Sequence, residues 1–299
     1  MEHGGGVTGT GERKRRSRAL IGHDGSPSAV NAVEVAVRLV PEADATVVHL
    51  WHPPFASAEL RQRLVSRAQT LDELMDLIQQ EGRAEAQRIA GHGATLAGAA
   101  GWNAQPLVER CYGGEGYELA RLAERGGADL IVLGSRGMSG LQAVLGSTSD
   151  LVAHVSSVPV LVVPFPLTTS EWDAVGTGPV LVASDGSPGA ERAAAASAAM
   201  FPDRELLKVT VDDADQSGPT GTEAHDTLRI PLRRRPGSAR AIAATLSEYA
   251  AERAAAVLVV GSRGRSRSRE LLLGTVAKAV LHHAHQPVLV VPAARAVRT

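Results

Sequence analysis

Two stretches of the chain carry residue types that hold a phosphate. Gly134-Ser135-Arg136-Gly137 and Gly261-Ser262-Arg263-Gly264 each follow a short apolar run, Leu130 to Leu133 and Val257 to Val260. Further on, a glycine with a hydroxyl residue behind it, Gly146-Ser147-Thr148 and Gly274-Thr275-Val276, opens a run with helical spacing. Glycine lets backbone N–H groups close on an anion, and a helix starting there adds its unpaired N–H groups and positive dipole end. The Ser147 or Thr275 hydroxyl can both cap that helix and bond a phosphate oxygen, and Arg136 or Arg263 supplies a planar donor. A second duplicated device is His23-Asp24-Gly25-Ser26-Pro27 and Ser184-Asp185-Gly186-Ser187-Pro188, each leaving a short apolar run and entering a helical pattern. Asp24 and Asp185 stand at the carboxyl end of a first strand, where open α/β sheets keep their ligands. They could equally serve only to shape the turn into the helix.

Other reactive residues form no such constellation. Ser26 and Ser187 are not in a nucleophile elbow, and their positions suit turn and cap. His282, His283 and His285 close a helical run, where imidazolium meets the negative helix end; adjacent helical positions point apart instead of converging on a metal. The single cysteine, Cys111, cannot form an internal disulfide and fits a reducing compartment. The early glycines, Gly4 to Gly11, follow no strand and precede no Gly-Lys-Ser/Thr.

The elements that must position these residues alternate. Ala19 to Gly22 reads as a first strand, followed by a helix carrying Ala29, Val30, Val33, Val37 and Val40. Thr46 to Trp51 is a second strand, and a long helix from about Ala58 to Ala90 follows, with Glu81-Gly82 inside it. Pro106 to Cys111 is a third strand, then a helix through Leu119 and Leu122, then the first glycine loop and a closing Pro-Val-Leu-Val-Val-Pro run. Such alternation implies parallel βαβ crossovers in a doubly wound sheet. The 299 residues suit two domains, with aliphatic cores given 3% aromatics. A basic tail over residues 1–18 is expected to be disordered. Domain 1 spans 19–165, a linker rich in Thr, Ser, Gly and Pro spans 166–178, and domain 2 spans 179–296. The duplicate is unequal: the Asp-Gly-Ser-Pro motifs lie 161 positions apart and the Gly-Ser-Arg-Gly motifs 127. The second domain has therefore lost about one helix between its second strand (Glu205 to Val211) and third strand (Leu228 to Leu232). One face of its sheet is left to pack on a partner or to face a mobile segment.

Taken together, these motifs resemble the tandem form of the universal stress protein family, over nearly all of residues 19–165 and 178–293. That family's adenine-nucleotide motif is Gly-x2-Gly-x9-Gly-Ser/Thr. Gly261, Gly264, Gly274 and Thr275 meet it in full, whereas Gly134, Gly137, Gly146 and Ser147 have eight residues, Met138 to Leu145, in the longer gap. The resemblance implies two Rossmann-like (adenine nucleotide alpha hydrolase-like) α/β domains, each a five-stranded parallel sheet of order 3-2-1-4-5 flanked by helices. It further implies ATP, with or without Mg2+, at the carboxyl edge between strands 1 and 4. Asp24 and Asp185 would face adenine or ribose, with His23 and Ser184 lining the site and main-chain atoms of Leu50 and Val211 meeting the adenine edge. Phosphates would lie against Gly134, Arg136, Gly137, Gly146, Ser147 and Thr148, and against Gly261, Arg263, Gly264, Gly274, Thr275 and Val276. The full spacing, with Arg263, Arg265, Arg267 and Arg269 around it, favours the second copy.

The function implied is that of an adenine-nucleotide-binding stress regulator whose occupancy alters conformation or partner choice. No general base, metal carboxylate cluster or nucleophile accompanies the cradle, so any turnover is expected to be slow. A scaffold with vestigial loops and a slow ATP hydrolase are the alternatives. No apolar run approaches the roughly 20 residues of a membrane span. Arg15-Arg16 is followed by too short an apolar stretch for a secretion signal, which points to the cytoplasm. Net charge is −1, and no aromatics interleave the loop arginines, so nucleic acid is not an expected partner. The apolar closing strands, Pro159 to Val163 and Pro287 to Val291, would be sheet edges, and their mutual pairing within one chain covers both. The family resemblance supports such an internal pseudo-dimer, leaves a homodimer of whole chains open, and leaves any protein partner unidentified.

Overall fold

The computed structural model describes residues 16–52, 58–135, 145–212, 227–233, 238–264 and 273–293. Ten strands form one sheet. The first half contributes β1 (Ser17–Gly22), β2 (Ala43–Trp51), β3 (Asn103–Arg110), β4 (Leu130–Gly134) and β5 (Val160–Val163). The second contributes β6 (Val180–Ala183), β7 (Leu206–Asp212), β8 (Thr227–Pro231), β9 (Val257–Gly261) and β10 (Val288–Val291). Their order is β3-β2-β1-β4-β5-β10-β9-β6-β7-β8, so each half is a 3-2-1-4-5 sheet, as expected, and the two are joined at their fifth strands. All pairings within a half are parallel, and β5 meets β10 antiparallel, with Val160 opposite Val290 and Val162 opposite Val288. The inner strands are unbroken apolar runs because both of their faces are covered.

Helices α1 (Pro27–Leu39), α2 (Ala58–Val65), α3 (Leu71–Ala99), α4 (Glu115–Gly126) and α5 (Ser147–Val155) belong to the first half. Then come α6 (Thr169–Thr177), α7 (Pro188–Met200), α8 (Ala239–Glu252) and α9 (Thr275–His283). One core layer, with Val33, Val35, Ala94, Val175, Ala193 and Leu289, lies under α1, α3, α6 and α7. The other, with Leu119, Leu122, Val152, Leu246, Tyr249 and Val280, lies under α4, α5, α8 and α9.

Several boundaries differ from the sequence expectation. The long helix over 58–90 is two helices: α2 stops at Val65, and α3 starts again where Thr70 Oγ1 accepts from Glu73 N–H at 3.2 Å while the Glu73 carboxylate accepts from Gln69 N–H at 2.8 Å. Gly82 does not break α3; a Cβ there would lie 3.2 Å from Trp51 Nε1, so the glycine is a point of close approach to the sheet. The first strand begins at Ser17, inside the expected tail, with Arg18 N–H bonded to Asp129 Oδ2 at 2.9 Å; residues 1–15 lie outside the described residues. The 166–178 stretch carries α6, which Thr168 and Glu171 start with a capping box.

The sheet face that α3 covers in the first half has a different chemistry in the second. Ile21 pairs with buried Val47, whereas its counterpart Val182 pairs with Lys208, whose amine sits 4.0 Å from Glu191. Thr210 and Asp212 continue that face of β7, and Arg229 on β8 reaches Asp212 at 3.1 Å, while Val209 turns into the opposite core. A polar strand face is stable in water without a covering helix. The strands themselves thus make neither of the two expected outcomes, partner or mobile cover, a requirement of the fold. Residues 213–226, between these strands, lie outside the described residues.

Candidate functional site

In the second half the chain leaves β6 with Ser184 N–H bonded to Val209 O at 2.8 Å. Gly186 takes a left-handed φ of +74, which turns the chain so that Asp185 Oδ1 accepts from Ser187 N–H at 3.0 Å. Ser187 Oγ then caps α7 by accepting from Ala190 N–H at 3.2 Å, with Pro188 in the first turn. Asp185 therefore does shape the turn, through Oδ1. The other oxygen, Oδ2, faces the glycine loop: a Cβ built on Gly264 would lie 2.5 Å from it.

The loop after β9 is seated on the first turn of α7. A Cβ at Gly189 would fall 2.1 Å from the Arg263 carbonyl oxygen, and one at Gly261 would meet the Gly189 backbone at 2.9 Å. Ser262 locks the far side, its N–H bonded to Val291 O at 2.7 Å and its Oγ accepting from Ala293 N–H at 2.8 Å. Ser262 O in turn accepts from Gly274 N–H at 2.7 Å, which fixes the start of α9 beside the loop. Gly274 caps α9 without any side-chain hydrogen bond, leaving the first-turn N–H groups of Thr275 and Val276 directed out of the helix end. Val276 packs its partly buried side chain against the core, so its main chain is what the site can use. Asp185, Arg263, Gly264, Gly274 and Thr275 are thus gathered at one carboxyl edge, while Val211 lies near the end of β7, the strand beside β6.

The first half repeats the frame. His23 N–H bonds Val48 O at 2.8 Å, Asp24 Oδ1 accepts from Ser26 N–H at 2.9 Å, Gly25 has φ +83, and Ser26 caps α1. Gly146 N–H bonds Ser135 O at 2.7 Å, and Gly146 caps α5 without a side-chain bond. Gly134 lies against Ser28, and its carbonyl accepts from Ser149 Oγ at 2.8 Å. Leu50 lies near the end of β2. Arg136 and Gly137 lie outside the described residues, as do Arg265, Arg267 and Arg269.

Two features were not anticipated. The His23 side chain is 3% exposed and lies under α3, where a Cβ on Gly93 would be 2.8 Å from its ring; neither ring nitrogen has a hydrogen-bond partner. Burial lowers its pKa, and its carbonyl accepts from His49 Nδ1 at 2.9 Å. The second is Glu115, which opens α4 and reaches α5: Thr148 Oγ1 lies 3.5 Å from Glu115 Oε2, and His52 Nε2 lies 3.2 Å from Oε1. Nothing in the local motif signals that contact, since α4 and α5 meet only in the folded chain. Among the described residues no group of His, Cys, Asp and Glu converges as a metal site, and His282 Nε2 lies 3.4 Å from Asp150 Oδ1.

The family model described as the universal stress protein family matches residues 15–164 and 237–292, more than half of the chain. The chain belongs to the universal stress protein family. The unmatched stretch between the two regions includes β6 to β8, where the second half is shortened, yet the topology there is still that of the family fold. Universal stress protein YxiE of Bacillus subtilis is 29% identical over 150 residues, 49% of this chain and 98% of that protein. A universal stress protein of Mycolicibacterium smegmatis is 33% identical over 184 residues, 55% of this chain and 62% of that protein. Among solved structures, a universal stress protein from Archaeoglobus fulgidus aligns over 91% of this chain and 97% of its own, with a TM-score of 0.63 at 22% identity, which speaks for the fold. Among the described residues no helix is long and apolar enough to cross a membrane.

Proposed function

We propose that this universal stress protein binds an adenine nucleotide, ATP in the first instance, with or without Mg2+, through the cradle of its second half. In this reading occupancy biases conformation or partner choice in a cytoplasmic stress response. The two domains are assigned to residues 17–165 and 179–296, and a homodimer of whole chains is compatible with it.

The observation that carries the reading is the convergence of Asp185 Oδ2 on Gly264, beside the uncapped start of α9 at Gly274. Backbone amides and a helix dipole offered to one point suit a polyphosphate, and a Cβ at Gly264 would close that point. Asp185 suits a ribose hydroxyl or adenine amine, which donate to a carboxylate.

Mass spectrometry of protein purified without added nucleotide, followed by calorimetry with ATP, tests it. Binding is expected for the natural chain and a loss of at least tenfold for Gly264→Val. Absence of heat from ATP, ADP and AMP alike would leave a scaffold.

A further inference from the structure

The two cradles share a frame but, among the described residues, differ at the pair that packs beside the helix start, Glu115 and Thr148 in the first and Ile242 and Val276 in the second. We propose that Glu115 serves as the first half's own anion, holding the amino end of α5 against a polyphosphate, so that the chain takes one nucleotide, in its second half. The inference rests on the nucleotide reading above and concerns which of two similar sites it uses.

Position is the first support. Gly113 and Gly114, at φ +119 and +72, turn the chain into α4 with no side-chain cap, and Glu115 follows immediately. Gly116 lets the two helices clasp, since a Cβ there would lie 2.7 Å from Leu151 Cγ on α5. The Glu115 carboxylate is thereby delivered to Thr148, the second residue of α5, and steadied from the other side by His52 at the end of β2. A carboxylate beside a helix start is favoured by the same partial positive charge that would attract a phosphate. A polyphosphate brought to that helix start would meet the like charge of Glu115.

The second half supplies the contrast. Helices α4 and α8 are followed by matching left-handed residues, Gly127 at φ +59 and Ala254 at φ +47, and counting back equally from each sets Ile242 opposite Glu115. Thr148 corresponds to Val276, because each is the second residue after its cap glycine. Ile242 and Val276 are both partly buried and pack against the core. The polar pair at the first cradle is an apolar pair at the second, which leaves the start of α9 without a competing charge from these positions.

Calorimetry with ATP on the full chain tests this in four forms. The natural chain is expected to bind one equivalent. Glu115→Gln, which keeps the side-chain shape, is expected to bind two, with the first cradle tightened at least tenfold, and Glu115→Ala is expected to do the same. With the second cradle closed by Gly264→Val, the chain should lose binding, and adding Glu115→Gln should restore one equivalent. A natural chain that binds two equivalents, or Glu115 variants that keep the natural melting curve and still bind one, would overturn the inference while leaving the function intact. Failure of every form to bind ATP would overturn the functional reading and this inference with it.

Discussion

Asp24 and Asp185 make the same hydrogen bond and are expected to have different consequences when removed. Each accepts from the serine two residues on, so replacing either by alanine removes a turn bond and should cost about 1 kcal/mol of stability. Only Asp185 is also expected to cost nucleotide affinity, because its second oxygen faces Gly264 in the cradle proposed to bind. Parallel urea melts and calorimetry of Asp24→Ala and Asp185→Ala should give similar shifts in midpoint and a fall in ATP affinity for Asp185→Ala alone. Equal loss of affinity in both would assign the ligand to both halves. The duplicated motif made the two aspartates legible as a pair. The division of labour proposed for them was not legible, since it depends on residues far off in the chain: Glu115, His52 and Thr148 in one half, Ile242 and Val276 in the other.

Helix α3 shows how much of an element lies beyond its own pattern. Its apolar spacing announced a helix, and the Thr70 to Glu73 cap was readable in principle, but the reason it tolerates Gly82 and Gly93 is visible only against the sheet, where Trp51 and His23 press on it. That packing carries a pH dependence. Burial lowers the pKa of His23, and of His49 beside it, although Asp24 raises both and Glu85 also raises His49. The unfolded chain takes up protons near the ordinary histidine value of about 6.5, while the folded chain resists until its own lower values are reached. Stability is therefore fully present above about pH 6.5 and is lost as pH falls from there toward the folded values. Amide protection in α3, corrected for the intrinsic pH dependence of exchange, is expected to fall as pH drops below about 6.5 and to hold in α7, whose half has Ser184 and Thr210 at the corresponding places. His23→Leu should flatten the response. Gly93→Ala should instead destabilise at every pH, by about 1–3 kcal/mol, because the new methyl overlaps His23 and Val47.

The ten-stranded sheet makes one body of two halves, and the closing strands foretold that junction: an apolar edge is stable when another strand covers it. A second tie between the halves had no motif. Arg204, before β7, sends its guanidinium into the opposite side of the junction, where Nη1 donates to Gly178 O at 3.0 Å and Nη2 lies 2.9 Å from Val175 O, 3.1 Å from Arg38 O and 3.3 Å from Gly176 O. One side chain from the second half thus gathers carbonyls from α6 and from the end of α1, and Arg38 in turn lies over the Trp172 ring at 4.7 Å. A planar fork with several donors can serve these acceptors at once, and lysine cannot. Arg204→Lys should recover little of what Arg204→Ala loses, about 2–4 kcal/mol given charged donors and carbonyls left without their partner. The loss should also appear as a loss of cooperativity. Trp51, Trp102 and Trp172 all precede β6, so fluorescence follows the first half and α6, whereas circular dichroism follows helices in both halves. In the natural chain the two urea curves are expected to coincide, as they must when one sheet unfolds as a unit. In Arg204→Ala they should separate; coincident, unshifted curves would mean that β5 and β10 alone hold the halves together.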